Sequence, residues 1–146
     1  MIGKGRALGI DLGKRRIGIA ISDSDQKLAS ALEVIQRSDP QKDYRKIYEI
    51  VQEWEVVLVV VGLPISLSGE LGVAAQDAIG EIHNLQELLK VKVVSQDERL
   101  STVSAKQMLS QANVNAKNQK YIIDKVAASI ILQTYLDSKL QSSNRT

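Results

Sequence analysis

The run Val56-Val57-Leu58-Val59-Val60-Val61 constrains the fold more than any other stretch of this chain. Its consecutive apolar, mostly β-branched residues offer no polar side to water. They predict a strand buried on both faces, inside a sheet covered by helices. The flanking segments fit that architecture. Asp43–Trp54 carries Tyr44, Ile47, Ile50, Val51 and Trp54 on one helical stripe. Val73–Leu89 carries Ala75, Ala78, Ile79, Ile82, Leu85, Leu88 and Leu89 in the same way, and Val91–Val94 reads as a further strand. Strand, helix, strand in this order predicts a parallel βαβ unit.

Upstream the period changes from helical to alternating. Ala7–Leu12 and Ile17–Ser22 read as two strands joined by a tight turn at Gly13. Ile17, Ile19 and Ile21 fall on one face of the second strand, with Gly18, Ala20 and Ser22 on the other. A third strand is expected around Ala29–Gln36, broken by Asp39-Pro40. Downstream, Ser101 or Thr102 caps a helix to about Gln111, and Asn113–Asn118 is a loop. A last helix spans about Tyr121–Asp137, with Ile123, Val126, Ala127, Ile130, Ile131 and Thr134 periodic. The fold class is therefore α/β: a mixed five-stranded sheet with helices on both faces. The 146 residues suit one domain, residues 1–138, and residues 139–146 read as a polar tail expected to be disordered.

Composition narrows the chemistry. The chain has no cysteine and one histidine, which excludes disulfides, thiolate zinc sites and histidine-rich metal centres. Ser66 and Ser68 have no histidine-based activation in the sequence, so serine nucleophilic catalysis is not expected. Any metal must be held by carboxylates, which favours hard cations such as Mg2+ or Mn2+. A net charge of +2 permits nucleic acid as a partner without requiring it. Aromatic residues at 3% argue against a broad base-stacking surface. No run approaches the ~20 apolar residues that span a bilayer, so no membrane partner is expected. The first residues lack an apolar signal core, and a cytoplasmic location follows as an expectation.

Three acids stand where an element meets a loop or a crowded face: Asp11, Glu98 and Asp124. Asp11 lies within an apolar strand, where a charge is costly unless something compensates it. Taken alone, Asp124 at a helix start serves the helix dipole, and Glu98 beside Asp97 and Arg99 is a solvated charge cluster. Brought together, the three would repel one another by several kcal/mol unless a divalent cation neutralised them. Lys14, Arg15 and Arg16 form either a solvated hairpin turn or a phosphate clamp beside Asp11. His83, mid-helix among polar neighbours, reads as a surface residue.

Four stretches in order resemble the YqgF family, described as Holliday junction resolvases or pre-16S rRNA nucleases of the RNase H-like fold. They are Gly9–Asp23, Val60–Pro64, Asp97–Thr102 and Asp124–Asp137, and they span nearly the whole chain. The resemblance implies that Asp11, Glu98 and Asp124 form an acidic, metal-binding, catalytic triad, with Asp97 as an auxiliary acid. It implies that Arg16 and Arg99 contact phosphate or orient the acids. It also implies a cytoplasmic enzyme of ribosomal RNA maturation. Where the family tends to read Asn-Met-Asp-Gly-Thr after the Gly-Leu-Pro motif, this chain has Ile65-Ser66-Leu67-Ser68-Gly69-Glu70.

Three functions compete at this point. The first is a Mg2+- or Mn2+-dependent nuclease on pre-16S rRNA. The second is a resolvase on branched DNA, which needs a homodimer to cut two strands symmetrically, whereas an RNA-trimming enzyme can act as a monomer. The third is a nucleotide-binding protein or a non-catalytic RNA-binding assembly factor. An edge strand or the Ile65–Gly72 loop is where a dimer would form.

Overall fold

A computed structural model describes residues 5–63, 72–97 and 126–139. Five strands form one sheet: β1 Arg6–Leu12, β2 Arg16–Ser22, β3 Ala29–Gln36, β4 Val56–Leu63 and β5 Lys92–Asp97. Their order across the sheet is β3-β2-β1-β4-β5, with β1 at the centre. The first three strands are an antiparallel meander, and β4 and β5 run parallel to β1. Helix α1 (Pro40–Glu53) precedes β4 and α2 (Val73–Leu89) follows it. A further helix, α3, occupies residues 126–139. This is the mixed five-stranded sheet with helices on both faces that the sequence predicts.

The covering splits the core in two. Leu8, Ile10, Ile17, Ile19, Ile21, Val59 and Val61 pack under α1 and α2 through Ile47, Ile50, Val51, Leu85 and Leu89. Ala7, Ala20, Leu58 and Val60 pack under α3 through Ala128, Ile131, Leu132 and Leu136. The alternation read from β2 is thus the alternation between two cores. The Val56–Val61 run lies inside the sheet, except that Val57 is exposed near the start of the strand.

Several boundaries differ from expectation, each for a local reason. Helix α1 begins at Pro40, not Asp43, with Asp39 as an extended N-cap residue. Proline at the first helical position has no N–H to lose and a preset φ, so a residue that ends a strand also starts a helix. The buried Asp43 carboxylate then accepts from the Ser38 N–H at 3.2 Å. Strand β5 runs three residues further than its apolar stretch, because Ser95, Gln96 and Asp97 pair with Val61, Gly62 and Leu63. In α2, Ile79 and Leu88 point outward. In α3 the buried stripe is Ala127, Ala128, Ile131, Leu132 and Leu136, while Thr134 is exposed. The helix continues to residue 139, inside the segment expected as tail. The expected helix 101–111, the loops 65–72 and 113–118, and the tail beyond 139 lie wholly or largely outside the described residues. No helix among the described residues is long and apolar enough to cross a membrane.

Candidate active site

Asp11 is the penultimate residue of the central strand, half-buried, at the end where β1 and β4 both finish. Side chains alternate along a strand, so Asp11 shares the α3 face with Ala7 and Gly9. Its cross-strand partner on β2 is Gly18. On the other side, one step beyond the Ile10–Val61 pair, its neighbour on β4 is Gly62. The two strand neighbours that flank this carboxylate are thus both glycines, which bring no side chains of their own.

The turn after Asp11 is built tightly. The Gly13 N–H donates to the Asp11 carbonyl at 3.1 Å. A Cβ on Gly13 would meet the Arg16 carbonyl oxygen at 2.5 Å, so this position admits glycine alone without a shift. Lys14 and Arg15 are exposed on the turn and Arg16 is half-buried at the start of β2. The Arg15 carbonyl accepts from the Arg37 N–H at 2.8 Å, which ties the turn to the end of β3. Three basic residues therefore lie on a braced turn at the Asp11 end of the sheet.

Helix α3 lies against β1 at Gly9. A Cβ there would fall 2.7 Å from the Leu132 Cβ and 2.8 Å from the Ala128 carbonyl oxygen. Only a missing side chain allows that approach. Further along, Gln133 reaches Ala29 and Lys27, beside the end of β2, where Ser22 pairs with Ala29. The described part of the helix thus runs from Gly9 toward the beginning of β1, antiparallel to that strand.

On β5, Val94 belongs to the α3 core and Val93 to the other. The same alternation puts Gln96 on the Asp11 side and Asp97 on the opposite side. Glu98, Arg99 and Asp124 lie outside the described residues. Among the described residues no group of three or more His, Cys, Asp or Glu could hold a metal ion. His83 is exposed on α2, 3.4 Å from Glu87, as a surface residue should be. The chemistry of Asp11 fits a hard cation: an oxygen donor, in a chain with no cysteine to offer a thiolate.

At the same end of the sheet, on the face of α1 and α2, stands a polar strut that sequence reasoning missed. Arg37 makes a bidentate ion pair with Glu81 at 2.8 and 3.1 Å, and the Tyr44 hydroxyl donates to Glu81 at 2.7 Å. Burial opposes the Glu81 charge, but the bonds from Arg37 and Tyr44 outweigh it and hold its carboxyl below the ordinary range. The hydrogen bond to Glu81 raises Arg37. Burial first, and then the bond to Glu81, pushes Tyr44 up to about 12. Nothing in the local sequence signals this trio, whose members come from β3's exit, α1 and α2.

Residues 5–138 match the model of a family described as "RuvX: Holliday junction resolvase". A protein of Thermoanaerobacter pseudethanolicus is 40% identical over 135 residues, covering 92% of this chain and 97% of its own length. One of Mycobacterium leprae is 47% identical over 135 residues, covering 92% and 73%. Both are named "Putative pre-16S rRNA nuclease". Among solved structures, Thermus thermophilus RuvC in complex with a Holliday junction superposes with a TM-score of 0.57 at 16% identity, over 93% of this chain and 96% of that one. The Fowlpox virus resolvase bound to Holliday junction DNA gives 0.57 at 13%, over 92% and 99%. At such identities these two likenesses speak for the fold alone, but the family match and the close relatives span nearly the whole chain, which belongs to the RuvX (YqgF) family.

Proposed function

We propose that this protein is a cytoplasmic, divalent-metal-dependent nuclease that trims the 5′ end of pre-16S rRNA, with one nuclease domain over residues 1–138. The observation that carries the chemistry is the half-buried Asp11 carboxylate at the end of the central strand, flanked by Gly18 and Gly62. The choice of substrate rests on relatives with that name at 37% to 47% identity.

Asp11, Glu98 and Asp124 are the proposed ligands of Mg2+ or Mn2+ and the proposed catalytic acids. The set is supported by the stretches that carry these acids, Gly9–Asp23, Asp97–Thr102 and Asp124–Asp137, which stand in the family's order along the chain.

When bound, the metal supplies an activated water and charge neutralisation at phosphorus. The chain's own residues do the rest. Asp11 gives a fixed anionic anchor on the rigid central strand. Lys14 and Arg15, exposed on the braced turn, together with Arg16 and Arg99, bind backbone phosphates and hold the scissile group over the acids. The absence of side chains at Gly18 and Gly62 lets a nucleic-acid backbone come close.

A second reading is favoured by the family's own description, resolution of Holliday junctions; symmetric cutting of two strands would call for a homodimer. One experiment separates them. Pure protein is incubated with pre-16S rRNA, a Holliday junction and plain duplexes, with and without Mn2+, beside Asp11→Asn. Cleavage of the RNA alone, lost in Asp11→Asn, is the expected outcome. Symmetric nicking of the junction selects the second reading, and binding without cleavage overturns both.

A further inference from the structure

Helix α1 carries its exposed charges in two blocks. Lys42, Arg45 and Lys46 fall in its first half, and Glu49 and Glu53 in its second, while Asp43 is buried against Ser38. This layout is unfavourable for a helix standing alone. The cations lie toward the positive end of the helix dipole and the anions toward the negative end. Lys42 with Lys46, and Glu49 with Glu53, are like charges one turn apart, which repel. The attraction between Arg45 and Glu49, at 3.7 Å, offsets little of this. Both side chains are largely exposed, and the cation stands on the N-terminal side, the weaker orientation.

The outer side of the same helix also leaves apolar surface open. With α2 it frames a groove of about 740 Å³, lined by Tyr44, Tyr48, Asn84 and Leu88 with Lys42 and Arg45 beside them. Tyr48 is 39% and Leu88 41% exposed. Helix α2 contains no Lys or Arg, and its stripe through Leu88 and Asn84 continues to the exposed Asp77. A nucleic-acid backbone, anionic throughout, would meet Glu49, Glu53 and Asp77 here as well as the cations. The matching occupant is one whose charges are blocked in the reverse order. A second copy of α1, laid antiparallel, has that order.

We propose that the outer face of α1 and α2 is a homodimer surface, on which α1 pairs antiparallel with α1 of a second copy about a two-fold axis near Tyr48. In such a contact residue i meets j and j meets i. An axis between residues 47 and 48 sets Lys42 of one copy opposite Glu53 of the other, and Lys46 opposite Glu49, each pair occurring twice. Tyr48 lies beside its own counterpart, with Leu88 at its flank, so an apolar centre is ringed by charged pairs. Parallel pairing would set Lys42 against Lys42 and Glu53 against Glu53, so charge selects the direction. The blocks that burden one helix thereby favour two. Helix α1 begins at the Asp11 end of the sheet, where β3 ends beside the Arg15 turn. The antiparallel pair therefore points the two Asp11 ends in opposite directions and leaves the α3 face uncovered. The pairing does not depend on the chemistry assigned to Asp11, and it does not set two such residues side by side on one junction.

The test is sedimentation equilibrium of the full chain across the micromolar range, where a reversible monomer–dimer equilibrium is expected. Lys46→Glu and Glu49→Lys should each raise the dissociation constant about tenfold or more, because the two-fold axis counts every lost pair twice. The double variant Lys46→Glu with Glu49→Lys exchanges the two ends of the pair and should return to within about threefold of wild type. All these positions are exposed, so circular dichroism should be the same in every variant. The chain has no cysteine, so Tyr48→Cys places a single thiol beside the axis. Air oxidation should link it to its counterpart, since a disulfide forms only between close Cα atoms. Glu33→Cys, exposed on the edge strand β3, should stay unlinked. A monomer throughout the range overturns the proposal, and a loss of RNA binding in Lys46→Glu would then assign the face to nucleic acid. A dimer indifferent to Lys46→Glu, not rescued by the double variant, or linked through Glu33→Cys and not through Tyr48→Cys overturns it as well.

Discussion

The two faces of the sheet are built from opposite kinds of residue. Under α1 and α2 the strands offer Leu8, Ile10, Ile17, Ile19 and Ile21, all large and buried. Under α3 the same two strands offer Ala7, Gly9, Asp11, Gly18, Ala20 and Ser22. The first face gains stability from volume: each such side chain contributes about 1.5–3 kcal/mol on burial. The second gives up volume for approach. Its helix comes within contact of a strand's backbone at Gly9, and near its end Asp11 stands opposite Gly18. One alternation in sequence therefore divides residues in space, with large side chains on one side and small ones, beside the proposed catalytic Asp11, on the other.

If that division is real, it can be broken one side at a time. The largest effect is expected from Asp11→Asn. Nuclease activity should fall on the order of 10²–10³-fold or more, the scale of one lost electrostatic contact at a reacting centre, while the melting temperature stays near wild type. Ile19→Ala is the mirror experiment. Ile19 is fully buried, and its truncation should cost about 2–5 kcal/mol in urea unfolding. Activity per folded molecule should be unchanged. A variant of the large face that loses activity while folded would contradict the division.

Gly9→Ala tests the seam between the two. The added Cβ meets the Leu132 Cβ and the Ala128 backbone oxygen, and neither is the free end of a flexible side chain. The helix must shift, at about 1–3 kcal/mol for overpacking. Both readouts should move together, stability modestly and activity with it, if α3 is packed core and borders the proposed site at once. Full activity with lowered stability would show that the helix position does not matter to the chemistry.

The division was partly legible before any coordinates. The alternation Ile17, Gly18, Ile19, Ala20 already separates large from small, and an Asp in an apolar strand already asks for a partner. The buried run at Val56–Val61 and the bounds of α2 follow from hydrophobic period alone. What was illegible depends on contacts distant in sequence. Ser95, Gln96 and Asp97 look like loop until β4 is known to lie beside them. Ile79 and Leu88 look inward because apolarity says nothing of which side the sheet covers. Pro40 reads equally as the end of one element and the start of another. Gln133 and Arg37 give no local signal at all, since a polar side chain declares its partner only in three dimensions. Of the acidic set, Asp11 is placed, while Glu98 and Asp124 lie outside the described residues.

The smallest effect concerns how the large-residue face is fastened at the Asp11 end. Arg37, Glu81 and Tyr44 hold β3's exit to α1 and α2, with Arg37 and Glu81 about one-fifth exposed. Arg37→Met should cost about 1–2 kcal/mol at neutral pH, the range for hydrogen bonds to a charged group, reduced by partial exposure. Its pH dependence follows from the directions of the shifts. Glu81 is held below its ordinary 4.5 in the folded state, so its contribution is present above that value and is lost as pH falls through the folded value. Tyr44 is raised from 10.0 to about 12, so its contribution is complete below 10 and is lost as pH rises toward 12. The stability gap between wild type and Arg37→Met should therefore be flat across neutral pH and close on the acid side below about 4.5. Activity per folded molecule should not follow it, because the strut lies on the face opposite the proposed catalytic Asp11. A gap unchanged down to pH 3 would mean that Arg37 contributes by packing alone.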